Sequence, residues 1–150
     1  MLDCGPIGFV KSTVTEAVDQ EWGSVLSELV IDEGYAPGLT GISSFSHIIV
    51  VFQMHESTWD PATDLVRRPQ GRSDMPLLGI FAQRARHRPN PIGITAVRLL
   101  GVNGNILSVQ GLDAINGTPI LDVKPYFPQY DRVETPSLPD WVGRLMAGYL

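Results

Sequence analysis

The residues best suited to chemistry lie in one stretch, 79–93, where an apolar segment leads into a cationic turn. Pro89 and Pro91 each fix a backbone φ angle and bias the preceding residues, Arg88 and Asn90, towards extended conformations. The turn is therefore stiff before any ligand binds, which favours a binding site. The alternative is a rigid surface loop whose arginines pair with acidic side chains, and the residue types alone weigh the two interpretations equally.

The side chains of this turn are suited to anions. A guanidinium binds a carboxylate through two parallel hydrogen bonds, so Arg84 is a candidate carboxylate clamp. Three neighbours are candidates to contact phosphate or carboxylate groups: Arg86, His87 and Arg88. The net charge of −5 at pH 7, taken alone, argues against a nucleic-acid partner. However, positions 67–98 contain seven arginines and one acid, Asp74, which predicts a cationic surface on an acidic body.

The composition argues against several functional classes. Cys4 is the only cysteine, so neither an intrachain disulfide nor a zinc cluster of several cysteines can form. The histidines lack chelating spacing, so we expect no metal site: His47, His55 and His87. The longest apolar run, 48–52, is much shorter than a membrane span, and the first residues do not resemble a signal peptide. We therefore expect a cytoplasmic protein with a single domain over residues 1–150 and no additional C-terminal domain.

Short β-type runs separated by glycine, proline or asparagine supply the framework for these residues. The alternation of Ser27, Leu29 and Ile31 with Glu28 is typical of a half-buried strand. The pattern predicts strands at 7–14, 25–31, 47–54, 77–83, 95–102, 106–112 and 119–123. This spacing favours a mainly β fold, a small antiparallel barrel or sandwich. No segment combines a strand, a glycine-rich turn and a long crossover helix, which argues against a Rossmann fold.

Two other segments have distinct patterns. Pro139 and Asp140 are typical of a helix start, and one apolar stripe follows at four-residue spacing: Trp141, Leu145 and Tyr149. This predicts a short helix that covers the barrel. The loop 57–72 is long and rich in Pro, Gly and Arg, which is typical of a lid or a dimer arm. Trp59 in this loop is a candidate for contact with a ligand or a partner.

Five blocks of this sequence resemble the signature blocks of the TsaA-like family of tRNA N6-adenosine methyltransferases. They are Ile7–Ser12, Phe45–Phe52 with His55, Gly79–Ala82, His87–Gly93 (HRPNPIG) and Gly117–Tyr126. The blocks occur in the family's order and span roughly residues 7 to 130. The resemblance implies a small antiparallel β-barrel-like TsaA-like (YaeB) fold with short helices, usually dimeric. It also implies S-adenosylmethionine as cofactor and N6 of threonylcarbamoyl-adenosine, beside the tRNA anticodon, as methyl acceptor.

The resemblance also implies which positions bind ligands. The implied cofactor residues are His55, Glu56, Arg84, Ile94 through its backbone, Asp113, Ala114, Ile115 and Asn116. The implied tRNA-binding residues are Arg86, His87, Arg88, Lys124 and Tyr126. Lys124 and Tyr126 alternate with Asp122 along one strand face, which is either a wall of the site or a solvated face with a structural Asp122–Lys124 pair. For His55 the alternative is a hydrogen bond to backbone, and we expect His47 to be a core histidine.

Methyl transfer from a sulfonium needs alignment more than acid–base chemistry, because the methyl group is already activated. An acceptor for the N6 hydrogens would help an adenine amine attack, and Asn90 is the candidate catalytic residue for this role. The alternative is that Asn90 closes a turn with its own side chain.

Departures from the family pattern bear on the substrate more than on the fold. Asn116 replaces the usual acidic residue of the DGTP turn, and Gln83 and Ala85 replace small hydroxylated residues. Two rival functions therefore stay open: methyl transfer by the same fold to another acceptor, and a non-catalytic S-adenosylmethionine-binding module. A hydrolase using His87 with Asp122 ranks last, because no nucleophile motif is present.

Overall fold

The computed structural model describes residues 3–19 and 21–150. Its strands are β1 (Gly8–Ser12), β2 (Leu26–Ile31), β3 (His47–Gln53), β4 (Val66–Arg67), β5 (Leu78–Gly79), β6 (Ile92–Asn103), β7 (Ile106–Gln110) and β8 (Pro119–Pro125). The α-helices are α1 (Pro61–Asp64), α2 (Pro128–Asp131) and α3 (Trp141–Met146). Five 3₁₀ turns lie at Trp22–Ser24, Glu33–Leu39, Ile42–Ser44, Pro69–Gly71 and Ile80–Ala82.

Six of the strands close into an antiparallel barrel in the order β1-β2-β7-β6-β3-β8, and β4 and β5 form a separate two-stranded sheet. The predicted mainly β, non-Rossmann fold is thereby confirmed. Alternate apolar side chains of the six strands fill the interior, among them Leu29, Val50 and Leu107, each with 0% exposure. Ser27, Leu29 and Ile31 all face inward, as the alternation predicts. Burial of each large aliphatic side chain contributes about 1.5–3 kcal/mol to stability.

The antiparallel topology gives the barrel two ends with different contents. At one end β1, β3 and β7 finish and β2, β6 and β8 begin, and the loop 111–118 crosses it; we call this the Asp113 end. At the other end β8 finishes and is followed by Tyr126, and we call this the Tyr126 end. β3 spans the distance between them in six residue steps, which is about 20 Å at a rise of about 3.3 Å per residue.

The final residue of the HRPNPIG block has a packing role in the barrel. Gly93 on β6 is paired with Phe52 on β3, whose ring packs flat over the glycine. A Cβ atom at position 93 would lie 2.4 Å from that ring, so no larger residue fits without displacing Phe52. Glycine is thus required here by close approach rather than by its backbone conformation.

Residues 57–91 leave the barrel between β3 and β6 and form an arm with an interior of its own. Met75 and Ile80 are 1% exposed inside it, and Asp60 caps α1 by accepting a hydrogen bond from the Ala62 N–H. The predicted strand 77–83 is largely wrong. Only two of its residues pair, with β4, and Ile80–Ala82 then turns, because no longer strand lies beside it.

Two further expectations need correction. His47 is exposed rather than buried in the core, because it begins β3 on the outward face and its ring bonds the Ser46 hydroxyl at 2.7 Å. The terminal helix ends at Met146, so Tyr149 lies beyond it. Gly148, with φ +75°, turns the chain back towards Trp22, which removes Tyr149 from the predicted stripe. No helix in the described part of the chain is both long and apolar enough to cross a membrane.

Candidate functional site at the Asp113 end

The centre of this end is the carboxylate of Asp113, which two side chains hold from opposite sides. The Thr95 hydroxyl donates to Oδ1 at 2.5 Å and the Tyr149 hydroxyl donates to Oδ2 at 2.6 Å. Thr95 lies on β6 and Asp113 follows β7, its neighbour in the barrel, so two adjacent strands bring this pair together. Asp113 is half-buried, so the residue is not sealed from solvent.

Tyr149 reaches Asp113 because residues 148–150 are fixed against the start of β2. The N–H of Glu21 donates to the Gly148 carbonyl and the N–H of Trp22 donates to the Tyr149 carbonyl, both at 2.8 Å. Burial raises the pKa of Tyr149 far above its ordinary value, and the neighbouring Asp113 charge raises it further. The phenol is therefore a neutral hydrogen-bond donor at any physiological pH. The sequence pattern predicted only a packing role for Tyr149, and no sequence signal indicated this contact.

Arg84 and Ile94 meet at the same corner. The Arg84 Nη2 group donates to the Ile94 carbonyl at 2.8 Å, and the positive charge of Arg84 also acts on the Tyr149 phenol. Two residues ten positions apart, both implied as cofactor contacts, are thus in direct contact with each other. The guanidinium is exposed and projects from the cationic turn onto the outer edge of β6.

His55 and Glu56 lie at this end as well, in the exposed turn that follows β3. The turn is tied to the HRPNPIG block, because the N–H of Met54 donates to the Pro91 carbonyl at 2.7 Å. The structure therefore brings His55, Glu56, Arg84, Ile94 and Asp113 to one end of the barrel.

The segment that follows Asp113 contributes mainly peptide groups. Ala114 and Ile115 are 3% and 8% exposed, so their side chains belong to the core. The Asn116 side chain accepts a hydrogen bond from the Ser12 N–H at 3.1 Å, and its own N–H donates to the Val14 carbonyl at 2.7 Å. Asn116 therefore anchors the loop to the end of β1, and its side chain has a structural partner.

The rest of the cationic turn is partly engaged with itself. Arg88 donates to the carbonyls of Gln83 and Ala85 at 3.0 and 3.2 Å, which stabilises the turn. The His87 ring lies between Arg86, 3.3 Å from Nε2, and the Thr58 backbone nitrogen, 3.2 Å from Nδ1.

Asn90 points its side chain into solvent at the tip of this turn, and its backbone carbonyl accepts the Ile92 N–H at 2.8 Å. Within residues 3–19 and 21–150 the Asn90 side chain forms no hydrogen bond. The geometry therefore does not favour a role for this side chain in closing the turn.

The alternative that arginines pair with acids holds for a part of the cationic stretch. Arg67 lies 3.8 Å from Asp64, and Arg72 bonds Asp74 through two nitrogens at 2.7 and 3.0 Å. The hydrogen bond from Arg72 holds the pKa of Asp74 below its ordinary value. Arg84 instead donates to a backbone carbonyl, so the cationic character of the Asp113 end depends on the turn rather than on the paired arginines Arg67 and Arg72.

Two of the implied tRNA contacts lie elsewhere. Lys124 pairs with Asp122 at 2.7 Å on the outer face of β8, which confirms the structural pair, and Tyr126 stands edge-on to His47 with ring centroids 6.5 Å apart. Beyond them is a column of stacked aromatic rings: Phe45 and Phe127 at 5.9 Å, and Phe127 and Tyr130 at 6.2 Å. Tyr126 and this column lie about 20 Å from the Asp113 end, along the length of β3.

A cavity of about 430 Å³ adjoins the Tyr149 segment, with a lining that includes Val18, Asp19, Arg72 and Gly148. Its volume is within the range of small-molecule sites. The loop that contributes Val18 and Asp19 carries no recognisable motif, so sequence reasoning missed it. Among the described residues, no group of three or more His, Cys, Asp or Glu side chains lies close enough together to hold a metal ion.

A closed antiparallel barrel with a polar, arginine-containing end defines a class of small β-barrel domain that is distinct from doubly wound nucleotide-binding folds. Residues 18–132 match the model of a family described as the tRNA-methyltransferase O N-terminal domain. The chain belongs to this family.

Relatives of known description agree with this assignment. An S-adenosyl-L-methionine-binding protein from Archaeoglobus fulgidus is 39% identical over 132 residues, which cover 85% of this chain and 91% of that protein. The tRNA (adenine(37)-N6)-methyltransferase of Homo sapiens is 39% identical over 93 residues, 62% of this chain and 21% of that one.

Solved structures give the same result. The crystal structure of TrmO from Pseudomonas aeruginosa superposes with a TM-score of 0.76 and 28% identity, over 94% of this chain and 62% of that one. A second TrmO crystal structure superposes with a TM-score of 0.74 and 30% identity, over 91% of this chain and 60% of that one. The chain thus spans about three-fifths of the solved TrmO chains that it matches.

Proposed function

We propose that this chain is a cytoplasmic methyltransferase that binds S-adenosylmethionine at the Asp113 end and methylates adenosine N6 in tRNA. The specific acceptor we propose is threonylcarbamoyl-adenosine beside the anticodon. The observation that carries the proposal is the convergence of Arg84, Ile94 and Asp113, far apart in sequence, on one corner. Membership of the tRNA-methyltransferase O family supports the same assignment.

The chemistry of the corner fits the polar parts of this cofactor. The exposed Arg84 guanidinium suits the methionine carboxylate, and a carboxylate such as Asp113 suits the vicinal hydroxyls of a ribose. The peptide groups of 113–116 and the side chains of His55 and Glu56 are placed to bond the adenine or the amino group. When bound, S-adenosylmethionine supplies a methyl group on a sulfonium, and the protein then has to align the acceptor and exclude water.

We propose that Asn90 accepts a hydrogen bond from the adenine amine. Its side-chain oxygen is exposed and its backbone carbonyl is occupied by Ile92, so the side chain is the group that can face an acceptor. Pro89 and Pro91 hold this residue in place without help from its side chain. In this role the Asn90 amide oxygen would orient the adenine amine and polarise one of its N–H bonds as the nitrogen attacks the methyl group.

The size of RNA explains how distant residues can take part in one reaction. An RNA stem-loop bound at the cationic turn, through Arg86, His87 and Arg88, is long enough to pass Lys124, which lies opposite the middle of β3. It can also reach Tyr126, about 20 Å away at the start of β3. Unstacked bases bind well to exposed aromatic faces, and Tyr130 is 85% exposed at the end of the aromatic column. The net charge of −5 favours the runner-up, methyl transfer to a smaller acceptor, because it disfavours phosphate contacts.

We further propose that the protein acts as a homodimer. Large apolar side chains are exposed on the arm and the adjoining start of β6: Leu65 47%, Leu77 61%, Phe81 79%, Ile92 48% and Ile94 51%. Exposed apolar side chains grouped in this way are typical of an interface, and a second copy is the commonest occupant. Light scattering on the purified protein distinguishes a dimer from a monomer, and Phe81→Glu should shift a dimer to the monomer.

Calorimetric titration with S-adenosylmethionine tests the central proposal. The wild type should bind, and Arg84→Ala should weaken binding by about 30- to 100-fold, as expected for loss of a charge-assisted hydrogen-bond pair. Arg132→Ala, which removes an exposed arginine near the Tyr126 end, is the matched control and should bind like the wild type. A folded wild type without measurable binding would overturn the proposed function.

Methylation assays then separate the acceptors. Transfer of a labelled methyl group to tRNA that carries threonylcarbamoyl-adenosine, with a steep decline as salt is raised, is the expected result. Binding of cofactor without transfer to any RNA would instead favour the non-catalytic module.

A further inference from the structure

Asp113 is only half-buried, yet hydrogen bonds from the protein hold both oxygens of its carboxylate. Each of its oxygens accepts one short hydrogen bond from a different part of the chain, Oδ1 from Thr95 and Oδ2 from Tyr149. A side-chain carboxylate otherwise rotates freely about its last bond. With one donor fixed on each oxygen, this rotation is blocked and the plane of the group is set.

A carboxylate held in this way retains capacity to accept further bonds. The two oxygens together offer about four lone-pair sites, of which the protein donors use two. The remaining two sites lie one on each oxygen. Two adjacent hydroxyl groups on a ligand match such a pair of acceptors, and preorganisation lowers the entropic cost of binding them.

Tyr149 is itself fixed independently of any ligand. Two backbone hydrogen bonds join residues 148 and 149 to Glu21 and Trp22, and position 23 must be glycine because a Cβ there would lie 2.7 Å from the Leu150 backbone. Burial and the Asp113 charge raise the pKa of the Tyr149 phenol, so the hydroxyl stays protonated and donates. The segment thus presents a rigid donor rather than a mobile side chain.

We propose that Tyr149 is a positioning residue of the cofactor site, which orients Asp113 so that its remaining lone pairs accept the two ribose hydroxyls of S-adenosylmethionine. This inference rests on the proposed function. Tyr149 lies outside the blocks that resemble the family, and it affects affinity for the cofactor only through Asp113. Tyr149 sets the geometry of the acceptor, and the ligand contact belongs to Asp113.

The first test compares Tyr149→Phe with the wild type by calorimetric titration with S-adenosylmethionine. The substitution removes one oxygen and keeps the ring, so the backbone hydrogen bonds to Glu21 and Trp22 and the fold should persist. We expect affinity to fall by about tenfold, as for loss of one hydrogen bond to a charged group. Tyr35→Phe, at a tyrosine that is 56% exposed, is the matched control and should leave affinity unchanged.

A second measurement separates positioning from a merely structural role. The cofactor analogue with a 2′-deoxyribose should bind about tenfold more weakly than S-adenosylmethionine to the wild type, but less than about threefold more weakly to Tyr149→Phe. Thr95→Val, which removes the other donor to Asp113 and keeps the side-chain shape, should show the same reduced penalty. It provides the test if Tyr149→Phe fails to fold.

The outcomes are distinguishable. Unchanged affinity in a folded Tyr149→Phe would show that the contact is structural, and increased affinity would show that the phenol competes with the ligand for Asp113. Either result overturns the inference and leaves the proposed function intact. Absence of S-adenosylmethionine binding by the folded wild type overturns both.

Discussion

The two ends of the barrel are made from the same six strands but differ in how their polar groups are used. At the Asp113 end, β6 and the segment 148–150 converge on one half-buried carboxylate, and the charge of Arg84 in the cationic turn acts on the Tyr149 phenol that binds it. At the Tyr126 end, the polar groups bond to close chain neighbours, as the Ser46 hydroxyl does with the His47 ring and the Phe127 N–H does with the Asp131 carboxylate. Convergence from distant segments marks the first end as the candidate site, whereas short-range pairing at the second is typical of a solvated face.

Removal of the acid should lower the free energy of unfolding much more at the convergent Asp113 than at the local Asp122–Lys124 pair. Asp113→Ala leaves the Thr95 and Tyr149 hydroxyls without their acceptor in a half-buried place, and we expect the free energy of unfolding to fall by about 1–3 kcal/mol. Asp122→Ala removes one exposed ion pair and should cost less than about 0.5 kcal/mol. Urea denaturation measures both, and equal losses would contradict the distinction between the convergent carboxylate and a local ion pair.

Two glycines of β6, one towards each end, give a second contrast. Gly93→Ala forces a Cβ to within 2.4 Å of the Phe52 ring, so the core must shift and stability should fall by about 1–3 kcal/mol. Gly101→Ala, where no atom lies within 4 Å of the added Cβ, should be neutral or slightly stabilising. Thermal unfolding of the two variants is the measurement. A destabilised Gly101→Ala with an unaffected Gly93→Ala would contradict the packing described for this strand.

The smallest expected effect distinguishes the tyrosines of the two ends at alkaline pH. The pKa of Tyr149 is raised above its ordinary 10.0, mainly by burial, so the unfolded chain ionises first. The contribution of the neutral phenol to the free energy of unfolding is therefore complete below pH 10 and declines as the pH rises above 10. At pH 11 the loss should be about 1 kcal/mol, after allowance for the partial exposure of the side chain.

Denaturation of the wild type and Tyr149→Phe at pH 8 and pH 11 measures this loss, which the variant should lack. Tyr130→Phe, at the exposed end of the aromatic column, should lose stability as the wild type does. If Tyr149→Phe and the wild type lose equal stability, the phenol is not buried against Asp113 in solution.

The sequence predicted the barrel because strand periodicity is local. The alternation around Leu29 and the apolar run from Ile48 to Phe52 each report which face is buried, and six of the seven predicted strands form. The seventh, 77–83, buries Ile80 inside the arm but leaves Leu77 and Phe81 exposed, and a short apolar run does not by itself distinguish this arrangement from a strand. His47 was misplaced for a related reason, since the run it begins is buried only from Ile48 onward.

Part of the candidate site could also be predicted from sequence. Residue types and spacing indicated a stiff cationic turn with Arg84, and the family blocks indicated His55, Glu56, Ile94 and 113–116, all of which lie at one end. The binding roles of these residues, and the organisation of residues 1–150 as a single domain, remain predictions. Lys124 and Tyr126 lie within a family block too. However, β8 carries Lys124 to the middle of the barrel wall, opposite Ile49, and Tyr126 to the other end, because each strand residue advances the chain by about 3.3 Å.

Local sequence by itself thus determined the strands, the stiff turn and the excess of arginine near it, since each depends on backbone and charge properties of neighbouring residues. Only the tertiary structure decided which groups meet Asp113. Thr95 is 18 residues away from it and Tyr149 is 36 residues away, so no local pattern records either contact. The hairpin of β6 and β7 places Thr95 beside the segment that follows β7, and the glycine turn at Gly148 returns the chain to Trp22; together these two features orient the carboxylate.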